Sequence, residues 1–522
     1  MNDLLIKNAL IVDGMGGPAF IGNLAIKESL ITDISQTESN AKNTIDAEGL
    51  AIAPGIIDGH THYDAQITWD PFATPSTAHG VTTAVIGNCG FTIAPCRPNQ
   101  RELIMSNLTH VEGMSLEALR SGICWEFETF SEYLNMLERK GVGLNIAAYF
   151  GHSSLRTYVL GAEASQRAST KKEINQMAKL MCDAMESGAI GFASSTNEPH
   201  NGERGLPMPS RLANSAEFSS ILKAMRQSGR GLYMLTKGMK TSIAELESLS
   251  AETSAPVLIA AMFHSELMPN AVFEELNKME EARQRGHQLI PQTSCCPLVM
   301  DFTLENPYLF EGLAAWNPAM KSKDQSDLKS IYADPDFIEK VEAELDSTNS
   351  GLFNGEWERV NLVEALLPEH KQYEGYSLKK WAKELGTTPL RLMLEISLKE
   401  DLKTLFSAKL LNTDESGVTQ LLKRQEAHIA LSDAGEIPDF DRLMTELEDQ
   451  KLKQRLNDLE ESGRQKGNTE QRYEAFVVQL KCRREDRNRH SLKEQLRETD
   501  SDDQLELLRQ LHDSKRVEYK IK

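Results

Sequence analysis

The chain has 522 residues, 40% hydrophobic and 26% charged, with a formal net charge of -20. That is globular composition, long enough for a large core and more than one domain, and it carries no basic footprint for nucleic acid. Seven scattered cysteines exclude a disulfide scaffold, and no apolar run approaches the about 18 residues a membrane span needs.

The N-terminus, "MNDLLIKNALIVDG", alternates like a strand and lacks the basic and apolar regions of a signal peptide, so the chain reads as soluble and cytoplasmic with reduced thiols. Residues 1–55 are strand-rich: "LLIKNALIVDG", "GNLAIKESLITDIS" and "NTIDAEGLAIAPG" are short alternating runs between Gly and Asp turns. The next run, "LAIAPGIIDGHTH", ends in His60 and His62. Residues i and i+2 of a strand share a face, so the two imidazoles project together while Thr61 faces away. Two imidazoles fixed on one side are half of a metal site, although an isolated HxH is more often a pair of partly solvated histidines.

Apolar β-branched runs then recur: "GVTTAVIGNCG", "VGLNIAAYFGH", "SGAIGFASS", "GRGLYMLTKG", "SAPVLIAAMFH", "HQLIPQTSCC" and "AHIALSDAG". Amphipathic stretches such as "KKEINQMAKLMCDAMESG" lie between them. Strands alternating with helices predict parallel βαβ units. With the histidine run there are about eight strands, which fits a (β/α)8 TIM barrel over residues 56–435. Polar or reactive residues cluster where the runs end, at His60, His62, Cys89, His152, Lys237, His264 and Asp433. Strand C-termini form the active-site face of such a barrel. Cys295 and Cys296 read as buried apolar thiols more readily than as pocket residues. From 436 to 522 the chain turns charge-dense and helix-favouring, nearly free of Gly and Pro, and reads as a solvated helical tail.

"APGIIDGHTHYDAQITWDP", "HGVTTAVIGNCGFTIAPCRP", "GHSSLRTYVLG", "SGAIGFASS" and "ALSDAG", in this order, resemble the amidohydrolase superfamily, and within it the N-acyl-D-amino-acid deacylases (D-aminoacylases). The resemblance covers roughly residues 3–435. It implies an α/β fold, a (β/α)8 barrel completed by a small β-sandwich to which residues 1–55 contribute. It implies a divalent metal, zinc by donor type, held by His60, His62, Cys89 and Asp433, with Asp433 also the general base in cleavage of an N-acyl (D-)amino acid amide. Asp64, His152 and Arg156 would orient substrate or brace the ligands. The sequence departs from the family at two further histidine ligands, where it reads Lys237 and Ala261, with His264 three residues on. Lys237 would instead pair with a substrate carboxylate, His264 would need a loop to fold back, and one ion is expected rather than two.

The tail is the second departure, because the family's late sandwich strands are missing. It bears a likeness to the C-terminal helices of some bacterial DNA primases, which bind a helicase, and so suggests a protein partner and a fusion or truncated frame. A poorly seated junction after Asp433 would impair activity. Two other readings stay open: a hydrolase of a cyclic amide or dipeptide on the same fold, and a catalytically impaired barrel remnant fused to a helical interaction module.

Overall fold

A computed structural model of the protein describes residues 1–435 apart from 203–204, 311 and 348–352. The helical tail expected over 436–522, and any partner it binds, lie outside the described residues. No helix among the described residues is long and apolar enough to cross a membrane.

The N-terminal alternating runs form one sheet. It comprises β1 (Asn2–Ile11), β2 (Phe20–Lys27), β3 (Leu30–Ser35), β4 (Ala41–Asp46) and β5 (Ala51–Ile52), in the order β3-β2-β1-β4 with β5 also on β1. Period-two alternation puts Ile34, Leu24, Ile6 and Ile45 in register across it. Leu24 is buried, while Ile34 and Ile45 at the two ends of the row are exposed. The small core of this sheet is Ala9, Ile11, Leu24 and Ala47.

All eight expected barrel strands form. They are β6 (Ile56–Asp58), β7 (Val81–Ile86), β8 (Asn145–Gly151), β9 (Gly191–Ser195), β10 (Leu232–Thr236), β11 (Val257–Ala260), β12 (Leu289–Thr293) and a last short strand, His428–Ile429. Every pairing is parallel and follows chain order. The two ends of the sheet meet just beyond the strands. The His62 N–H donates to the Ala434 carbonyl at 2.6 Å, and the Asp433 N–H to the His60 carbonyl at 3.0 Å. First and last strands are thereby neighbours in a (β/α)8 barrel.

The connecting helices follow local rules. Phe130–Lys140, Lys171–Glu186 and Ile243–Thr253 start at Thr129, Thr170 and Ser242, each completing a capping box with a glutamate three residues on. Lys171–Glu186 buries Ile174, Met177, Met181, Ala184 and Met185, one face at helical spacing.

Between β12 and the last strand the chain makes a unit that the alternation did not announce. Here β13 (Leu298–Phe302), β14 (Val360–Glu364) and β15 (Leu405–Leu411) form an antiparallel sheet in the order β13-β15-β14. It has its own aromatic core, in which Phe310 stacks on Trp316 at 4.5 Å and Tyr332, Trp381 and Phe406 are buried. The range 56–435 thus holds a second hydrophobic core besides that of the barrel.

Candidate metal centre

His60 and His62 leave β6 on one face, as period two requires, with ring centroids 5.3 Å apart. Thr61 turns the other way and its hydroxyl donates to the Val85 carbonyl at 2.8 Å. Both histidines are buried. The tautomer of His60 follows from its neighbour. Gln292, on β12, spends its amide N–H groups on the carbonyls of Gly59 (3.2 Å) and Ala430 (3.1 Å). Its Oε1 therefore accepts from His60 Nδ1 at 3.1 Å, which leaves the Nε2 lone pair free. Burial pushes His60 down to about 4, so the ring is neutral at pH 7.

Cys89 sits in a tight turn after β7. Its φ is 56°, between Gly87 at 83° and Gly90 at 77°. The Asn88 side-chain amide donates to the carbonyls of Thr61 (3.1 Å) and Val85 (2.8 Å), tying the turn to the histidine strand. The sulfur lies 3.5 Å from His60 Nε2 and 3.9 Å from His62 Nε2, and accepts from the Thr236 hydroxyl at 3.0 Å. Burial raises the thiol, with His62 opposing. Glycine is required at 90 because an added Cβ would stand 2.6 Å from the Ala193 carbonyl oxygen, at a φ that L side chains avoid. Gly90→Ala is expected to destabilise the protein by about 1–3 kcal/mol. Chemical denaturation measures this, and an unshifted midpoint would show that the turn relaxes freely.

Asp433 has φ 61°, and its Oδ1 lies 3.2 Å from His62 Nε2 and 3.6 Å from His60 Nε2. The adjoining Ser432 hydroxyl bonds Asp58 of β6. The Asp433 side chain is half-exposed, and His62 and then His60 beside it hold the carboxyl well below its usual range. Glu112, ending the helix Arg101–Glu112, brings Oε2 to 3.4 Å from His62 Nε2. Against the cost of burial, Glu112, Asp433 and Cys89 raise His62 well above its ordinary value.

His60, His62 and Cys89 place one donor atom each within 4.8 Å of one another. Tetrahedral zinc, with bonds of about 2.0–2.3 Å, requires donor separations of about 3.3–3.7 Å. The measured separations, 3.2–3.9 Å between the two Nε2 atoms on one side and Sγ and Asp433 Oδ1 on the other, have that size. A set of two imidazoles, a thiol and a carboxylate is borderline-soft and suits zinc.

The other expected site residues lie elsewhere. Asp64 is buried, and its carboxylate accepts from the Gly87 N–H at 2.9 Å, bracing the cysteine turn. Burial pushes it up to about 6, with that N–H and His62 opposing. His152 and Arg156 belong to a buried network of their own. His152 bonds Ser194 Oγ and Glu217 at 2.8 Å each, and Arg156 meets both Glu217 oxygens at 2.6 Å. Lys237 pairs with Glu275 at 2.8 Å, so a substrate carboxylate would have to displace that partner. His264 is buried against Gly417, where an added Cβ would lie 2.4 Å from the ring. Its backbone N–H and C=O both bond Asn412 at 2.8 Å. Cys295 and Cys296, expected to be buried, are exposed with sulfurs 3.9 Å apart. They follow β12 on a bend rather than continuing the strand.

Three residues in contact with the centre escaped the sequence reading: Gln292, Thr236 and Glu112. Gln292 stands one residue before the end of β12 and Thr236 ends β10, the kind of strand-end position that points to Lys237 in the sequence. His200 lies in the loop after β9. Its Nδ1 is 2.7 Å from Ser195 Oγ and its ring stands edge-on to Phe91 at 5.1 Å. Burial, then His62, push it down to about 3, and His60 adds to the shift while Asp433 opposes it.

Comparison with known proteins agrees with this geometry. The amidohydrolase family matches residues 43–290. An uncharacterized protein of Mycobacterium tuberculosis is 25% identical over 83% of this chain and 74% of its own length. The D-aminoacylase of Alcaligenes xylosoxydans xylosoxydans is 32% identical over 49% of this chain and 50% of its own. In fold, the chain resembles the N-acyl-D-glutamate deacylase of Bordetella bronchiseptica, solved with zinc and a phosphonate inhibitor. The TM-score is 0.55 at 20% identity, covering 82% of this chain and 75% of that one. An HxH strand and a GNCG turn beside the last-strand aspartate, on a barrel of this kind, thus go together with a match to the amidohydrolase family over residues 43–290 and a likeness to the D-aminoacylases over about half of this chain.

Proposed function

We propose that the protein hydrolyses the amide bond of N-acyl amino acids of D configuration, using one zinc ion held by His60, His62, Cys89 and Asp433. The observation that supports this reading is that His60, His62 and Cys89 place one donor atom each within 4.8 Å of one another, with Asp433 Oδ1 3.6 and 3.2 Å from the Nε2 atoms of His60 and His62. When bound, the cation supplies the charge that polarises the substrate carbonyl and keeps Cys89 as a thiolate.

The protein's own groups do the rest. Gln292 fixes the ring of His60 and leaves its Nε2 facing the cluster. Thr236 offers the Cys89 sulfur a hydrogen-bond donor. Asp433 takes the proton of the attacking water as that oxygen adds to the amide carbon, and returns it to the leaving nitrogen, giving a carboxylic acid and an amine. Asp433 is set for this by backbone bonds to the histidine strand, made before the chain reaches Gly435.

The deacylase names of the relatives, among them an N-acyl-D-aspartate deacylase and an N-acyl-D-glutamate deacylase, support the substrate class. The test is metal analysis of the purified full chain, with a hydrolysis screen of N-acetyl-D- and N-acetyl-L-amino acids in added zinc. Near-stoichiometric zinc with hydrolysis of D substrates is the expected result. A chain that takes up no zinc and cleaves nothing is an inert barrel. Cys89→Ala is expected to lower zinc content and activity together, by about tenfold or more. Full activity in that variant would reduce Cys89 to a packed thiol.

A further inference from the structure

Cys295 and Cys296 are the two exposed thiols among the described cysteines; Cys89 and Cys96 are buried, and Cys124 and Cys182 are partly covered. Neighbours on a strand point to opposite faces, so an adjacent pair that continued β12 would hold its sulfurs apart. The chain bends instead at these two residues, just after the strand. The bend leaves the sulfurs 3.9 Å apart.

Buried groups hold this bend. Ser294 and Asn412 are both buried. The Asn412 amide donates to the carbonyls of Ser294 (2.9 Å) and Cys296 (3.3 Å), and the Cys296 N–H donates to Ser294 Oγ at 3.2 Å. Asn412 Oδ1 in turn accepts from the His264 N–H at 2.8 Å, which ties the pair to the segment after β11. The backbone that carries both thiols is thereby fixed, and a ligand that takes both sulfurs has little left to order.

The spacing favours one kind of ligand. Consecutive Cα atoms stand about 3.8 Å apart, nearer than the about 4.4–6.8 Å across a disulfide, so direct closure of the pair is disfavoured. A single bridging atom removes that constraint, since two bonds of metal–thiolate length, about 2.3 Å each, reach across 3.9 Å. Among the described residues no third His, Cys, Asp or Glu donor gathers with the pair, as His60, His62 and Cys89 gather with one another. A tetrahedral zinc shell therefore lacks its protein donors here. A soft centre that needs only two thiolates and brings its remaining substituent with it does not.

We infer that Cys295 and Cys296 form a chelating site for trivalent arsenicals, on the C-terminal face of the barrel and separate from the donors of the proposed metal centre. Each sulfur forms a bond to arsenic as the arsenic–oxygen bond breaks. The two thiol protons leave with that oxygen as water. Arsenic stays trivalent, so the step consumes no oxidant or reductant.

The probe is phenylarsine oxide. Reduced full-length wild type, Cys295→Ser, Cys296→Ser and Cys124→Ser are titrated with it and read by intact mass. The adducts are then challenged with 2-mercaptoethanol, a monothiol, and with 1,2-ethanedithiol. The expected result is one adduct per wild-type chain, with the mass of the probe less one water, that withstands the monothiol and is stripped by the dithiol. Affinity should fall about 100-fold in Cys295→Ser and in Cys296→Ser, because capture by the second sulfur is lost, with Cys124→Ser like wild type. No adduct on wild type, an equal affinity in the Cys295 and Cys296 variants, or an adduct that the monothiol removes as readily as the dithiol would each overturn the assignment. The site stands or falls independently of the proposed zinc centre, whose metal content and turnover are separate readouts.

Discussion

Asp433→Asn is expected to lower kcat/KM for an N-acyl-D-amino acid by about 10²–10⁴-fold, the range associated with loss of a positioned general base. The amide keeps the size of the side chain but cannot take up the proton of the attacking water. The fold should be indifferent to it, because the segment is held by its backbone. The Asp433 N–H bonds the His60 carbonyl, and the Ala434 carbonyl accepts from His62. The Ser432 hydroxyl, bonded to Asp58, adds a side-chain tie that Asn leaves untouched. Steady-state kinetics and a denaturation midpoint, taken on the same preparation, separate chemistry from stability. A variant that retains more than about a third of the wild-type rate would remove Asp433 from the proton path.

The second large effect is expected far from substrate. Glu217 is fully buried between His152 and Arg156, and Arg156 also donates to the backbone carbonyls of Ala164 and Arg167. Removing one partner of such a network leaves a buried, uncompensated charge. Glu217→Gln is expected to cost about 3–5 kcal/mol at pH 7, measured by urea unfolding. A cost below about 1 kcal/mol would mean that solvent or a shifted side chain replaces the carboxylate.

The pH dependence follows from the same groups. Burial opposes the ionised carboxylate of Glu217, but His152 and Arg156 outweigh it and hold the group down to about 2, below its ordinary 4.5. A depressed folded-state value gives stability that is complete above 4.5 and is lost as pH falls toward 2. Burial also lowers His152 from its ordinary 6.5, so protonation of the unfolded chain adds to the loss from about pH 6.5 downward. The stability gap between wild type and Glu217→Gln should therefore narrow below pH 4.5. A gap constant down to pH 3 would assign the acid lability to other groups.

Much of the candidate centre was legible in the sequence because its parts are local. The alternation of a strand puts His60 and His62 on one face whatever the rest of the chain does. The GNCG segment supplies two glycines that accept positive φ on either side of Cys89, so a sharp turn at a strand end could be read from four letters. The eight apolar runs announced the barrel, because a parallel sheet covered on both faces needs nearly continuous apolar strands.

What only the tertiary structure decided are the contacts between distant strands. Gln292 meets His60 across 232 positions in the chain, and Thr236 meets Cys89 across 147. No local period connects such residues. Strand-end position singled out Lys237 and His264, yet side-chain packing gave one to Glu275 and the other to the hollow at Gly417. The unit between β12 and the last strand went unread for a related reason. Its strands are antiparallel, and β14 and β15 are 40 residues apart, so their pairing leaves no short-range mark. The sequence by itself determined the strands and turns that carry His60, His62, Cys89 and Asp433. The closing of the barrel determined which other side chains share their space, since it is the backbone bonds of His60 and His62 to Asp433 and Ala434 that bring the two ends of the chain's barrel together.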